Sequence, residues 1–172
     1  MNVFLVGPMG SGKSAVGRQL AQRLDLDFID SDAEIEARTG VDIAYIFERE
    51  GEAGFRSREA EVIDALSRRD RVLVSTGGGA ILDASTRERL RARGRVVYLR
   101  TSVDQQLART RRSNDRPLLD NPDPRGTLER LYEQRTPLYT EVAEIVVDTD
   151  GRKVKTVVDQ ICRQLGVDGP RP

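Results

Sequence analysis

Gly7-Pro8-Met9-Gly10-Ser11-Gly12-Lys13-Ser14 is the stretch from which the rest of the chain can be read. It fits the spacing G-x-x-x-x-G-K-[ST]. It also stands between an apolar run, Val3–Val6, that predicts a strand and a helical pattern with Val16, Leu20 and Leu24 on one face. The chemistry explains the spacing. Glycines let backbone N–H groups curl around phosphate oxygens, and a helix N-terminus adds partial positive charge. A lysine at position 13 can neutralise β and γ phosphates, and a hydroxyl at position 14 can coordinate Mg²⁺. A glycine-rich turn that only caps a helix would not require this set of residues at these offsets.

Outward from the loop, short apolar runs alternate with helical stretches, the pattern of a parallel sheet covered by helices on both faces. Strands are predicted at Val3–Val6, Phe28–Ile29, Val72–Ser75, Val96–Leu99 and Ile145–Val147. Helices are predicted at Ser85–Arg93, Val103–Arg109 and Leu128–Tyr139. A last helix carries Val154, Val157, Val158, Ile161 and Leu165 as one stripe. Residues 32–65 hold three helical patterns without a strand and read as a substrate-binding insertion. Residues 110–125 are polar and proline-rich, and read as a lid or as a plain surface loop. The chain is expected to be one domain over 1–172, with a disordered tail at 168–172.

In an open parallel sheet the carboxyl ends of the strands face the ligand crevice. Asp30-Ser31-Asp32 follows the second strand there. One aspartate can serve a metal shell and the other an acceptor hydroxyl, or Asp32 simply caps the next helix. Gly77-Gly78-Gly79 follows the third strand and permits close backbone approach to a substrate, or is a turn without a ligand. Phe55-Arg56-Ser57-Arg58-Glu59, Arg116-Pro117-Leu118-Leu119 and Arg135-Thr136-Pro137-Leu138-Tyr139 each place arginine beside apolar residues. By residue type alone they remain compatible with solvated surface charge.

Composition narrows the class. Lys+Arg and Asp+Glu are both 28, so the zero net charge gives no electrostatic footprint for nucleic acid or a membrane surface. Only Lys13, Lys153 and Lys155 are lysines, and one of these rare residues sits in the loop. The chain has no histidine, which removes histidine-based triads and most zinc sites. The single Cys162 reads as a buried core thiol, and the N-terminal apolar run is too short for a membrane span, so the expected compartment is the cytosol.

Taken in order, GPMGSGKS, DSD, FRSRE, GGG, RPLL and RTPLY resemble the shikimate kinase family from about Asn2 to Leu165. The resemblance implies a three-layer P-loop NTPase domain with a five-stranded parallel sheet, arranged as in nucleoside monophosphate kinases. It further implies γ-phosphoryl transfer from Mg-ATP to the 3-hydroxyl of shikimate; a monomer is the expected state, since no exposed apolar stripe stands out in the sequence. On the resemblance, Gly10, Ser11, Gly12, Lys13, Ser14, Ala15, Arg109, Arg116 and Arg152 would bind ATP. Asp32, Arg56, Glu59, Gly78, Gly79 and Arg135 would bind shikimate, with Glu59 holding Arg56. Asp32, Lys13 and Arg116 would be catalytic. Ser14, with Asp30 through water, would serve the magnesium. Phe47 and Phe55 would wall the ring or pack the core. Two departures stand out. The family usually has threonine where this chain has Ala15, and Arg152-Lys153-Val154 lacks a proline often found there. Losing the hydroxyl contact is expected to change ATP affinity by about 1 kcal/mol. The other readings are a kinase of similar build for gluconate or a nucleotide, and a nucleotide-binding protein whose activity has decayed.

Overall fold

Four consecutive buried residues, Val3–Val6, form β1 at the centre of the sheet. The computed structural model describes residues 1–111 and 121–167. Around β1 lie β2 (Asp27–Asp30), β3 (Val72–Ser75), β4 (Arg95–Arg100) and β5 (Ile145–Asp148) in the order β2-β3-β1-β4-β5, with every pairing parallel. The helices are α1 (Lys13–Leu24), α2 (Ser31–Thr39), α3 (Ile43–Ser67), α4 (Ala84–Arg93), α5 (Val103–Thr110), α6 (Pro124–Val142) and α7 (Val154–Leu165). A 3₁₀ turn spans Ala80–Leu82.

Alternation along the strands builds two cores. Phe4, Val6, Val72, Val74, Val96 and Tyr98 face one side, against α3, α4 and α6. Val3, Leu5, Leu73, Val97 and Leu99 face the other, where Val16 and Leu20 of α1 meet Val157, Val158 and Ile161 of α7. Both faces are therefore dry, which explains why these strands read as unbroken apolar runs. Cys162 is buried in the second core, as expected.

Strand order is what assembles the site. Leu5 of β1 registers with Ser75 of β3, and Ser75 with Asp30 of β2, so three strand ends lie side by side. The loops that leave them are the phosphate loop, the glycine triplet and the DSD segment.

Three expectations are corrected. The second strand extends beyond Phe28–Ile29 to Asp30, whose Oδ1 accepts from the N–H groups of Asp32 (2.9 Å) and Ala33 (3.1 Å). Asp30, not Asp32, is thus the cap of α2, because only a residue still in extended conformation can aim its carboxylate at the helix's first free N–H groups. The helix expected over Leu128–Tyr139 starts earlier, at Pro124, a favoured first position, and Asp123 caps it through Gly126 N–H at 3.0 Å. The 110–125 segment is therefore not loop throughout: Thr110 closes α5, while Pro124 and Arg125 open α6. Residues 112–120 and 168–172, and with them Arg116 and the expected tail, lie outside the described residues. The three helical patterns of the insertion appear as α2 and the two halves of α3, which bends at Gly51 (φ 71°, ψ −178°).

Candidate active site

The phosphate loop closes between β1 and α1. Gly10 (φ 76°) and Gly12 (φ 87°) occupy conformations that residues with a Cβ rarely adopt. At Gly7 a Cβ would also stand 2.7 Å from the Leu99 carbonyl oxygen. The Lys13 ammonium folds back over the loop and donates to the carbonyl oxygens of Gly7 (2.6 Å) and Pro8 (2.8 Å), with Ser11 Oγ at 3.4 Å. The Ser14 hydroxyl donates to Asp30 Oδ2 at 3.1 Å, so the cap of α2 is also tied to the start of α1. Ala15 is exposed in the first turn of α1. Arg109 reaches across from α5 and donates to the Gly10 carbonyl oxygen at 2.9 Å. Arg152 stands apart from these contacts: it donates to the Asp148 carbonyl oxygen (2.9 Å) and to Gln160 Oε1 (2.5 Å) in the turn between β5 and α7.

Beside the loop, the glycine triplet is a hub on which four functional side chains converge. A Cβ at Gly77 would lie 2.6 Å from Glu59 Oε2 and 2.9 Å from Asp32 Oδ1. At Gly78 it would meet Met9 N, Arg135 Nη1 and the Gly7 carbonyl oxygen at 3.4–3.6 Å. At Gly79 it would fall on the Arg56 guanidinium, 2.5 Å from Cζ. The segment thus joins the two carboxylates, the phosphate loop and both arginines. Arg56 Nη1 donates to Glu59 Oε1 at 2.9 Å, and its Nη2 reaches Glu52 at 3.4 Å. Arg135 is buried on α6. Arg56 Nε, Arg135 Nε and Glu59 Oε2 are buried with no hydrogen-bond partner among the described residues.

Burial dominates the electrostatics. Glu59 is 2 % exposed, and desolvation pushes its carboxyl up to about 7 even though Arg56 and Arg135 pull the other way. The neighbouring Asp32 charge adds to the rise. Burial likewise raises the Tyr139 phenol far above its usual range, which keeps it a neutral donor to the Gly78 carbonyl oxygen. Phe55 is in the first core, with the Phe47 ring packed on it at 4.8 Å.

Sequence reasoning gave three participants no role of their own. Ser31 is fully buried and its Oγ accepts from Gly77 N–H at 3.1 Å, locking the DSD segment to the triplet. Gly77 itself lies closest to the carboxylates. Tyr139 holds Gly78 from α6. The signal for the last was its i+4 spacing from Arg135, which puts both on one helix face.

Comparison with known proteins follows the same line. The shikimate kinase family model matches residues 9–166. A shikimate kinase of Shewanella frigidimarina (strain NCIMB 400) is 57 % identical over 165 residues, covering 96 % of each chain. The chain belongs to the shikimate kinase family. Among solved members of the shikimate kinase family, one from Acinetobacter baumannii in complex with shikimate superposes with a TM-score of 0.94 at 46 % identity, covering 99 % of this chain and 95 % of that one. A gluconokinase from Sinorhizobium meliloti 1021 covers 96 % of this chain and 91 % of its own, at TM-score 0.57 and 19 % identity, a likeness of fold alone. Family membership makes the chain an ATP-dependent kinase with the three-layer α/β fold expected of it.

Proposed function

We propose that this chain transfers the γ-phosphoryl group of ATP to the 3-hydroxyl of shikimate, giving shikimate 3-phosphate and ADP. The observation that carries the reading is the convergence of two guanidinium groups and two carboxylates on one glycine segment that also touches the phosphate loop. Arg56 and Arg135 are suited to an acceptor carboxylate, because a planar fork can donate two parallel hydrogen bonds to it. Their unpartnered Nε donors support that use, since a buried donor left unpaired costs roughly 1–3 kcal/mol. Glu59 holds Arg56, while Gly78 and Gly79 offer backbone groups to the ring.

On the donor side, the N–H groups of Gly10, Ser11, Gly12, Ser14 and Ala15 would receive the phosphates, with Lys13 exchanging its loop carbonyls for phosphate oxygens. Arg109 and Arg152 would pack near the base. Among the described residues no cluster of three or more acidic, histidine or cysteine side chains can hold a metal. The Ser14–Asp30 pair nevertheless fits a hydrated Mg²⁺ shared with a nucleotide, as a hydroxyl beside a carboxylate at 3.1 Å. When bound, Mg²⁺ would supply charge neutralisation on the β and γ phosphates.

In the transfer, the shikimate 3-oxygen forms a bond to the γ phosphorus as the bond to the β,γ-bridging oxygen breaks, and the hydroxyl proton leaves toward Asp32. A loose transition state asks Asp32 mainly to align the hydroxyl. Arg116, assigned by motif alone, would neutralise charge on the moving group. Residues 32–65 serve as the acceptor-binding part of one domain, and the lid read from sequence over 110–125 falls mostly on residues outside the described ones. The enzyme works as a monomer in the cytosol; no helix among the described residues is long and apolar enough to cross a membrane.

A coupled ADP-release assay with Mg-ATP tests the proposal, comparing shikimate, gluconate, a nucleoside monophosphate and no acceptor. Strong dependence on shikimate is expected. Equal rates with gluconate, or release without any acceptor, would overturn it.

A further inference from the structure

The two arginines of the acceptor site already face two carboxylates on its inner side, Glu59 and Asp32, and Arg56 Nη2 also reaches the exposed Glu52 at 3.4 Å. Arg56 Nη1 is bonded to Glu59 Oε1, and the Asp32 and Glu59 oxygens stand 2.9 Å and 2.6 Å from one point above Gly77. A bound acceptor brings a further carboxylate to the same pair of guanidinium groups. The added anion competes for guanidinium groups that already serve Glu59, Asp32 and Glu52, and the most deeply buried anion is the one least able to keep its charge. That anion is Glu59, whose Oε2 has no hydrogen-bond partner among the described residues.

We infer that docking of the acceptor carboxylate on Arg56 and Arg135 is coupled to uptake of one proton by Glu59. The inference rests on the proposed reading of the site. Protonation suits the geometry on both sides of the carboxyl. Oε1 still accepts from Arg56, and Oε2, now a donor, faces the same point as Asp32 Oδ1. Arg56 keeps this hydrogen bond but no longer shares its charge with an anionic Glu59, which leaves more of it for the substrate carboxylate. Glu59 also lines a cavity of about 230 Å³ with Arg56, Gly79, Leu82, Asp83 and Thr86, which gives its carboxyl room to exchange a proton with water. The charged groups around Glu59 are Arg56 on its own helix α3, Asp32 from α2, Arg135 from α6 and, across the cavity, Asp83.

The direction of the effect follows from linkage. The Glu59 carboxyl lies at about 7 before the acceptor binds, and the added anion raises it further. Well below pH 7 the proton is already present and binding takes up none. Above pH 7 uptake approaches one proton, so affinity falls by up to about tenfold per pH unit until the value in the complex is passed.

Shikimate is titrated calorimetrically into the full chain at pH 8 in two buffers of different ionisation heat, beside thermal shift with the same ligand. The expected result is an uptake of roughly 0.5–1 proton per site in the wild type and none in Glu59→Gln. Binding with a buffer-independent heat, or the same uptake in the variant, overturns the inference while leaving the proposed acceptor standing. No binding by either method overturns the acceptor reading and the inference with it. Should Glu59→Gln fail to fold, wild-type affinity from pH 6.5 to 8.5 decides: a steady fall above pH 7 supports the inference, and a flat profile overturns it.

Discussion

Glu59 carries its cost before any ligand arrives. Its carboxyl sits near 7 in the folded chain against an ordinary value of 4.5, so the folded state binds more protons than the unfolded one between those limits. Stability therefore decreases as pH rises through that window, by about 3 kcal/mol in all. Asp64, Glu144 and Asp148 are shifted the opposite way by their arginine partners, and their contributions are complete once pH exceeds about 5. Melting temperature measured from pH 5 to 8 is expected to drop in the wild type and to stay nearly flat in Glu59→Gln. At Gly79 the constraint is space. A Cβ there displaces the Arg56 guanidinium, the far end of a flexible chain, so folding is little affected. Gly79→Ala should raise KM for shikimate about 10–100-fold, the loss of one charge-assisted hydrogen bond, while KM for ATP stays put. Steady-state kinetics in both substrates checks it. A parallel rise in both constants would place the fault in the phosphate loop. Sequence reading reached Arg56, Glu59 and Arg135 only through the family motifs. Residue type and spacing alone left them as surface charge, whereas Glu59 and Arg135 are buried.

At the scale of elements, α3 is one helix built in two pieces. Gly51 takes φ 71° and ψ −178°, a region essentially closed to residues with a Cβ, and nothing lies within 4 Å of where that Cβ would go. The bend is held by Arg58, whose Nε and Nη2 bind the two Glu50 oxygens at 2.7 and 2.6 Å across it. Gly51→Ala should lower stability by about 1–3 kcal/mol through backbone strain alone, with no steric clash. For a chain of this size that is a fall in melting temperature of roughly 2–10 °C, readable by calorimetry or circular dichroism. The pattern of three short helical runs in this region was legible because periodicity is local. Which aspartate capped α2 was not, since DSD offers two carboxylates only two residues apart. The choice depends on where β2 stops, and β2 runs to Asp30 because Asp30 pairs with Ser75 of β3.

For the whole molecule, two neighbouring sites share one sheet edge, and each ligand binds only the folded chain. Shikimate at about 100 times its dissociation constant should add roughly 2.7 kcal/mol, or about 5–10 °C in melting temperature. Mg-ADP should give a further, separate increment, and thermal shift with each ligand and with both measures the pair. A shikimate shift that required nucleotide would mean that the acceptor site is not formed without it. The sequence by itself determined the phosphate loop, the alternating strands and helices, and the five-stranded parallel arrangement. Each of these depends on residues a few positions apart: glycine geometry, helical or strand periodicity, and runs apolar enough to be buried on both faces. Only the tertiary structure decided that Asp32, Arg56, Glu59 and Arg135, from separated segments, converge on the Gly77–Gly79 segment. It alone decided that Glu59 is dry enough to hold a proton near neutrality. Burial and the field of neighbouring charges are sums over the folded surroundings, and no local pattern of residues encodes them.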